Sequence, residues 1–199
     1  MRDPRTHEPI VLASRSPRRR DILTAMGVAF EVDVANVDES PRVDELPRDM
    51  VERLAREKVA RVAARHPGRI VLGADTTINL DGRSLGTPVD VAEARMMLRA
   101  LSGRTHMVHT AVVAALDART ESRVETAVVE FVPLDDVTLE EYLATGESLD
   151  VAGAYAIQGG AAHLASLRRG SFSTVVGLPV HAVADLLARL GLSVAGPTA

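Results

Sequence analysis

The chain has 199 residues, of which 46% are hydrophobic and 25% are charged, and its formal net charge is −4. This length and composition predict a globular protein with a proper core, in one domain or two small lobes. The absence of cysteine excludes a disulfide scaffold, a cysteine nucleophile and a cysteine-ligated zinc site. Mild acidity and 3% aromatic residues argue against nucleic-acid binding, and no apolar run is long enough for a transmembrane helix.

Turn and capping signals divide the chain into alternating strands and helices. The predicted strands cover residues 9–14, 30–34, 69–74 and 162–167, with two long strands between 105 and 133 around a turn at 117–122. The predicted helices cover residues 17–26, 47–65, 90–102, 138–146 and 179–190. Asp81-Gly82 predicts a hairpin turn, and Thr138 with Glu141 predicts an N-terminal capping box. Crossover and hairpin connections together predict an α/β fold with a mixed β-sheet and flanking helices.

Three consecutive arginines occupy the first turn of the first predicted helix. On a helical projection Arg19 falls on the middle of the apolar stripe, Arg18 on its edge and Arg20 on the opposite face. Cations there oppose the helix dipole, and both irregularities disappear if an anion binds. We predict an anion-binding role for Arg19, to which Ser14 and Ser16 could add hydroxyl donors. The alternatives are a solvated basic face, which we favour for Arg20, and a phosphorylation segment.

Of the 23 basic residues, Lys58 is the one lysine. It lies near the centre of the apolar stripe of the long predicted helix, a stripe formed by Val51, Leu54, Ala55, Val59 and Val62. A lysine at such a place must snorkel, pair with a carboxylate or line a cavity. We therefore predict a specific role for Lys58 rather than drift in an arginine-rich chain.

An apolar run at residues 70–74 is typical of a central strand. Asp75 is predicted to end this strand on the side where open α/β sheets place ligands. Together with Glu39 in the acidic loop before the long helix, Asp75 could hold a divalent cation through oxygen ligands. His106 and His109 would point to opposite faces of a strand, so we predict that they are not ligands.

Eight segments of the chain resemble the Maf family of nucleoside triphosphate pyrophosphatases, in order and at similar spacings. They are LASRSPRRRDIL (12–23), VDES (37–40), LAREKV (54–59), VLGADT (71–76), LDGRSLGTP (80–88), LSGRTH (101–106), AGAYAIQG (152–159) and GSFSTVVGLP (170–179).

This resemblance implies two lobes around a cleft, in an architecture similar to the inosine triphosphate pyrophosphatases. It also implies cleavage of a nucleoside triphosphate to the monophosphate and pyrophosphate with a divalent metal, Mg²⁺ or Mn²⁺. By position, Asp75 matches the family's catalytic carboxylate, the proton acceptor, while Ser14, Arg19, Glu39 and Lys58 match polar residues of its active-site cleft. We expect Glu39 and Asp75 to help hold the metal, and Lys58 and Arg19 to neutralise charge as pyrophosphate leaves.

Three positions separate the branches of the family, and here they are Arg18, Thr76 and Gln158. This pattern resembles the dTTP/UTP pyrophosphatases, whereas the 7-methyl-GTP branch typically has Trp, Gln and Glu. A carboxamide such as that of Gln158 both donates and accepts, which suits the edge of uracil or thymine. A carboxylate only accepts, which suits the N–H groups of guanine.

One position departs from the family pattern. Thr87 stands where family members usually have a lysine before the proline of the LDG…KP segment. Either Arg83 or Arg104 supplies the missing charge, or catalysis is weaker than in the family. A nucleotide-binding regulator of septum formation and cell division, with little catalysis, is therefore a rival hypothesis. A 7-methyl-GTP-type pyrophosphatase is the other alternative.

The resemblance predicts one catalytic domain over residues 9–191, with a disordered N-terminus at 1–8 and a frayed C-terminus at 192–199. Because residues 1–8 lack the apolar segment of a signal peptide, we expect a cytoplasmic protein. The expected partner is the nucleotide substrate, without nucleic acid or membrane. The family also raises the option of a homodimer, which the sequence itself does not show.

Overall fold

The computed structural model describes residues 8–194, which form a seven-stranded sheet with helices on it. The strands are β1 (Ile10–Leu12), β2 (Phe30–Val32), β3 (Val71–Leu80), β4 (Arg83–Leu85), β5 (Thr105–Leu116), β6 (Arg119–Phe131) and β7 (Ala165–Arg169). The α-helices are α1 (Pro17–Ala25), α2 (Pro47–Ala63), α3 (Val91–Leu101), α4 (Asp136–Ala144), α5 (Phe172–Val176) and α6 (Val180–Arg189). Short 3₁₀ helices cover Glu147–Asp150, Ala152–Ala154 and Gly160–His163.

The sheet is mixed, which confirms the predicted α/β fold class. Its order is β2-β1-β3-β5-β6-β7, and β4 pairs with β3. Strand β1 is parallel to β2 and to β3, whereas every pairing from β3 onward is antiparallel. The parallel part needs crossover helices, and the antiparallel part needs only turns, as the two kinds of connection predicted.

Buried apolar side chains stabilise three regions of the sheet. Helix α2 packs its buried stripe against β1, β3 and β5, while α1 and α6 pack against the same strands with a separate set of side chains. A third cluster joins α3 and α4 to the far ends of β3, β5 and β6. Fully burying a Val or Leu side chain contributes about 1.5–3 kcal/mol of stability. These clusters therefore hold α1 and α2, which carry Arg19 and Lys58, firmly against the sheet.

The edge of β3 that faces away from β5 is interrupted. Strand β1 pairs with β3 at Val71 and Leu72, and β4 pairs with β3 only from Ile78 onward. Between these two partners, within the part of the chain that the structure describes, residues 73–77 pair with β5 alone. This gap in the sheet places Asp75 and Thr76 beside an opening rather than beside a strand.

The structure corrects the predicted end of the central strand. We predicted a strand at 69–74 that stops at Asp75, whereas β3 continues to Leu80 with Asp75 inside it. The parallel ladder with β1 ends at Leu72, but β5 continues to pair with β3 through Asn79. The polar residues after Ala74 therefore remain in the strand because β5 satisfies their backbone groups.

Three other boundaries differ from the predictions. Helix α4 begins at Asp136, because the side chain of Asp135 accepts the Thr138 N–H and takes the capping role that we assigned to Thr138. The strand predicted at 162–167 is β7, shifted toward the C-terminus behind a 3₁₀ helix. Helix α5 was not predicted, since its five residues are too few to show a periodicity.

We predicted a disordered N-terminus at 1–8 and a frayed C-terminus at 192–199. Residues 1–7 and 195–199 of these segments lie outside the described residues. Leu192 and Val194, which fall in the segment predicted to fray, pack against the cluster beneath α6. No helix among residues 8–194 combines the length and the apolar character that crossing a membrane requires.

Candidate active site

A cavity of about 260 Å³ opens at the gap in the sheet. Its walls come from the start of α1, from α2, from the unpaired edge of β3, from residues 86–87 after β4 and from residues 150–158. A neighbouring cavity of about 360 Å³ lies against residues 13–15 and 34–37 and shares Arg19, Glu39 and Lys58 with the first. All the predicted site residues line one or both cavities: Ser14, Arg18, Arg19, Glu39, Lys58, Asp75, Thr76 and Gln158.

Lys58 joins two carboxylates at the boundary between the two cavities. Its Nζ lies 2.6 Å from Asp75 Oδ1 and 2.7 Å from Glu39 Oε1. Helix α2 directs this side chain toward the gap in β3, and 14% of it remains exposed. We predicted that a lysine on an apolar stripe snorkels, pairs with a carboxylate or lines a cavity. Lys58 does the last two, since it pairs with carboxylates and lines a cavity.

The carboxyl group of Asp75 has an unusual environment. Only 8% of the residue is exposed, and this burial raises the pKa of the carboxyl above its ordinary value. The nearby Lys58 ammonium and Arg19 guanidinium act in the opposite direction, but burial is the larger effect. A carboxylate with a raised pKa is a stronger proton acceptor, which is what a general base near neutral pH requires.

Arg19 binds protein atoms on three sides of the cleft. Its Nη1 donates to Ser14 Oγ at 3.0 Å and to the Ala74 carbonyl at 2.7 Å, and its Nη2 donates to Thr76 Oγ1 at 3.2 Å. Its Nε donates to the Gly177 carbonyl at 2.9 Å. These contacts use four of the five guanidinium N–H groups, so Arg19 holds the cleft together. Its predicted anion-binding role remains a prediction.

The positions that separate the family branches lie on three different walls. Arg18 donates from Nη2 to the Asp150 carbonyl at 2.7 Å, and both residues line the cavity of about 260 Å³. Thr76 lies at the unpaired edge of β3 and shares a hydrogen bond of 3.0 Å with Thr110. Gln158 is exposed and lines the cavity from the loop between the 3₁₀ helices Ala152–Ala154 and Gly160–His163.

Thr87, at the position where family members usually have a lysine, lines the cavity. Neither of the proposed substitutes for the missing lysine lies in the cavity walls. Arg104 instead pairs with Asp81 at 2.5 Å, and Arg83 is exposed on β4. The cationic side chains that line the first cavity are thus Arg18, Arg19 and Lys58.

The donor set fits a divalent cation that arrives with a phosphate ligand. Among residues 8–194 no group of three or more His, Asp or Glu side chains is placed to hold a metal. Glu39 and Asp75 nevertheless converge on one point, the Lys58 ammonium. Mg²⁺ typically binds through one or two carboxylates together with substrate phosphates and water, so two carboxylates suffice for that mode.

The two histidines of β5 have structural partners. His106 Nε2 lies 2.7 Å from the Tyr155 hydroxyl, and burial lowers the pKa of His106 to about 4. His109 Nδ1 lies 2.9 Å from Thr126 Oγ1. That neither histidine is a metal ligand remains a prediction.

Sequence reasoning missed several residues of the cleft. Tyr155 and Val151 line its inner wall, and Asp150 contributes a backbone carbonyl. The contact through the Asp150 carbonyl could not be predicted, because every residue type has a backbone carbonyl. The burial of Tyr155 could not be predicted either, because it lies in a loop without hydrophobic periodicity. The signal that could have found this wall is the glycine-rich stretch 153–160, which marks a loop held close to other backbone.

A sequence profile of the family described as "Maf-like protein" matches residues 9–190. The chain belongs to the Maf family. Among similar Maf proteins, the dTTP/UTP pyrophosphatase of Symbiobacterium thermophilum is 45% identical over 184 residues, which cover 92% of this chain and 95% of that protein. The dTTP/UTP pyrophosphatase of Myxococcus xanthus is 48% identical over 183 residues, covering 92% and 93% of the two chains. The predicted family membership is confirmed.

The similarity of this Maf chain to solved structures is lower than its sequence similarity to the Maf relatives. The structure of the Staphylococcus aureus Ham1 protein matches with a TM-score of 0.45 and 16% sequence identity, over 62% of this chain and 72% of that one.

Proposed function

We propose that the protein is a pyrophosphatase that hydrolyses dTTP and UTP to the monophosphate and pyrophosphate. The observation that carries this proposal is the buried carboxyl of Asp75, held on Lys58 at a cleft in the sheet. The substrate class follows from relatives that are 45–48% identical over more than nine tenths of the chain and are named dTTP/UTP pyrophosphatase.

In the proposed reaction a water molecule attacks the α-phosphorus of the nucleotide. Asp75 accepts the proton of that water, and the bond from the α-phosphorus to the bridging oxygen breaks so that pyrophosphate leaves. Lys58 and Arg19 stabilise the negative charge that accumulates on the leaving group, in the way that fixed cations assist phosphoryl transfer. The base lies in the cavity that Gln158 and Thr76 line, and the phosphates lie toward Lys58.

We propose that Glu39 and Asp75 hold a divalent cation, Mg²⁺ or Mn²⁺, together with the substrate phosphates. Such a cation, when bound, offsets phosphate charge and makes a bound water more acidic. Glu39 is suited to this because its side chain is 63% exposed and can move between the Lys58 ammonium and a cation. Cytoplasmic location, a homodimer and the absence of nucleic-acid partners remain predictions.

The decisive experiment measures pyrophosphate release from a panel of nucleoside triphosphates with Mg²⁺ or Mn²⁺. We expect dTTP and UTP to be cleaved fastest, and the Asp75→Asn variant to fold normally while it releases almost no pyrophosphate from dTTP. We expect the fold to tolerate the neutral amide, because burial disfavours the charged form of Asp75. Wild-type turnover by Asp75→Asn would show that another group is the base. Nucleotide binding without turnover across the panel would favour the regulator.

A further inference from the structure

The 3₁₀ helix Glu147–Asp150 is bonded to Arg18, one of the positions at which the family branches differ, and to the loop that carries another, Gln158. The carbonyl of Asp150, at its last residue, accepts the Arg18 guanidinium at 2.7 Å. The side chain of Glu147, at its first residue, accepts the backbone N–H of Gly160 at 2.7 Å, two residues after Gln158. One short segment is therefore bonded to both sides of the cleft.

The loop that carries Gln158 is fixed at both ends by side chains outside the cleft. The Ala156 N–H donates to the hydroxyl of Tyr142 at 3.0 Å, and the Gly160 N–H donates to Glu147. Between them the Gly159 N–H closes a turn on the Ala156 carbonyl at 2.9 Å. Gln158 lies inside this turn, so these bonds restrict the movement of its backbone.

The two glycines after Gln158 fit closely against the carboxylate of Glu147. A Cβ added to Gly159 would lie 2.5 Å from Glu147 Oε2, and one added to Gly160 would lie 3.3 Å from the same oxygen. The Tyr142 ring would lie 3.2 Å from the same added Cβ of Gly160. The carboxylate thus occupies the space that side chains at positions 159 and 160 would fill. The conformation of the loop therefore depends on Glu147.

We propose that Glu147 is a positioning residue that sets the base preference of the site, with Tyr142 as its helper. This inference rests on the proposed function, since it assigns the origin of the pyrimidine preference at the same cleft. Glu147 lies on the far side of Gly160 and acts on the base only through the loop that carries Gln158. A carboxamide discriminates between base edges only if its donor and acceptor are held in a fixed orientation.

The test compares Glu147→Ala with Glu147→Gln. Dissociation constants are measured by calorimetry for the α,β-imido analogues of dTTP and GTP, and steady-state kinetics are measured for dTTP. We expect Glu147→Ala to reduce the preference for the dTTP analogue about 5–30-fold, mainly through weaker dTTP binding and a higher KM, with a smaller change in kcat. Glu147→Gln keeps an oxygen that can accept the Gly160 N–H, so it should restore most of the preference.

Glu141→Ala is the matched control, because Glu141 is an exposed carboxylate on α4. It should leave the preference unchanged. In a Gln158→Ala background, Glu147→Ala should produce no further loss of preference, because its effect passes through Gln158. If Glu147→Ala does not fold, Tyr142→Phe replaces it, since it releases the other end of the loop.

An unchanged preference in folded Glu147→Ala, or a full additional loss in the Gln158→Ala background, overturns the positioning role. If the wild-type protein binds the dTTP analogue in preference but releases no pyrophosphate, the proposed hydrolysis fails while the binding test of Glu147 still gives a result. If the wild type shows no preference for the dTTP analogue, Glu147 has no preference to set and the positioning role is also overturned.

Discussion

At the scale of single residues, the surroundings of Lys58 explain why this position of the cleft holds a lysine and not an arginine. Its compact ammonium bridges Asp75 and Glu39 at 2.6 and 2.7 Å, within a site where the lysine side chain is only 14% exposed. A guanidinium is planar and broader, and its N–H groups point in fixed directions, so it does not reproduce this compact bridge in the same space.

We therefore expect Lys58→Arg to lower kcat/KM for dTTP about 10²-fold, as misplaced groups in preorganised sites do. Steady-state pyrophosphate release measures the effect, and Arg48→Lys provides a control substitution at an exposed residue of α2. Unchanged kinetics in Lys58→Arg would mean that the lone lysine is an accident of composition.

The raised pKa of Asp75 gives the reaction a predictable pH dependence. The active form of a general base is the carboxylate, so the rate falls as the pH drops through the pKa of the folded protein. Because burial raises the pKa of Asp75, this acid limb should lie above the ordinary aspartate value of about 3.9. The ionised form costs the folded state free energy above that pKa, and the cost is relieved as the pH falls.

The measurement is a pH profile of kcat/KM for dTTP, with thermal melting recorded over the same range. We expect the rate to fall on the acid side while the fold remains intact. An acid limb at or below the range of an exposed aspartate would contradict the assignment of Asp75 as a buried base.

The polar residues that the sequence predicted for the cleft all line it, and they were predicted by two different routes. Lys58 and Arg19 were visible because charge on an apolar helical stripe is costly and needs a compensating partner. Gln158 and Thr76 have no such signature, since neither lies in a periodic pattern, and only the family resemblance marked them. Glu147 was missed because its partner is a backbone N–H in another segment.

At the scale of elements, the contact between α2 and β3 fixes the distance from Lys58 to Asp75. Gly73 makes this contact possible, because a Cβ at this position would lie 2.5 Å from Val59 Cγ2 and 3.5 Å from the Ala13 Cβ. Val59 is the residue that follows Lys58, so any outward shift of α2 also moves the ammonium.

We expect Gly73→Ala to destabilise the fold by about 1–3 kcal/mol, as overpacked core positions do, and to raise KM for dTTP. Chemical denaturation and kinetics measure the two effects. Gly86→Ala is the stability control, since nothing lies within 4 Å of the added carbon. A Gly73→Ala protein as stable as the wild type would show that α2 adjusts without cost.

The order of strands and helices was largely predictable, because each begins or ends at a Gly, Pro, Asp or Ser with a defined backbone role. The continuation of β3 past Asp75 was not predictable in the same way. Residues 75–79 include two threonines and an asparagine, and they form a strand only because β5 pairs with them over the whole length. Such long-range pairing is invisible in a local window.

At the scale of the whole molecule, Arg19 connects parts of the chain that are far apart in sequence. It bonds Ser14 in the loop after β1, the edge of β3 at Ala74 and Thr76, and Gly177 at the end of α5. Burial lowers the pKa of its guanidinium, and the charges of Asp75 and Glu39 oppose that effect.

We expect Arg19→Lys to lose stability, by about 1–3 kcal/mol, as well as activity, because an ammonium keeps the charge but cannot reach all these acceptors. Thermal melting and pyrophosphate release are the measurements, with Arg20→Lys on the exposed face as the control. Full stability in Arg19→Lys would limit the role of Arg19 to its charge.

The gap between β1 and β4 also has a consequence for how copies of this chain meet one another. A strand edge without a partner is a template for another chain, and proteins usually block it with a charge, a proline or a covering element. Here the Arg19 guanidinium occupies the Ala74 carbonyl at that edge. The residue that shapes the cleft thereby also occupies a backbone acceptor that an added strand would need.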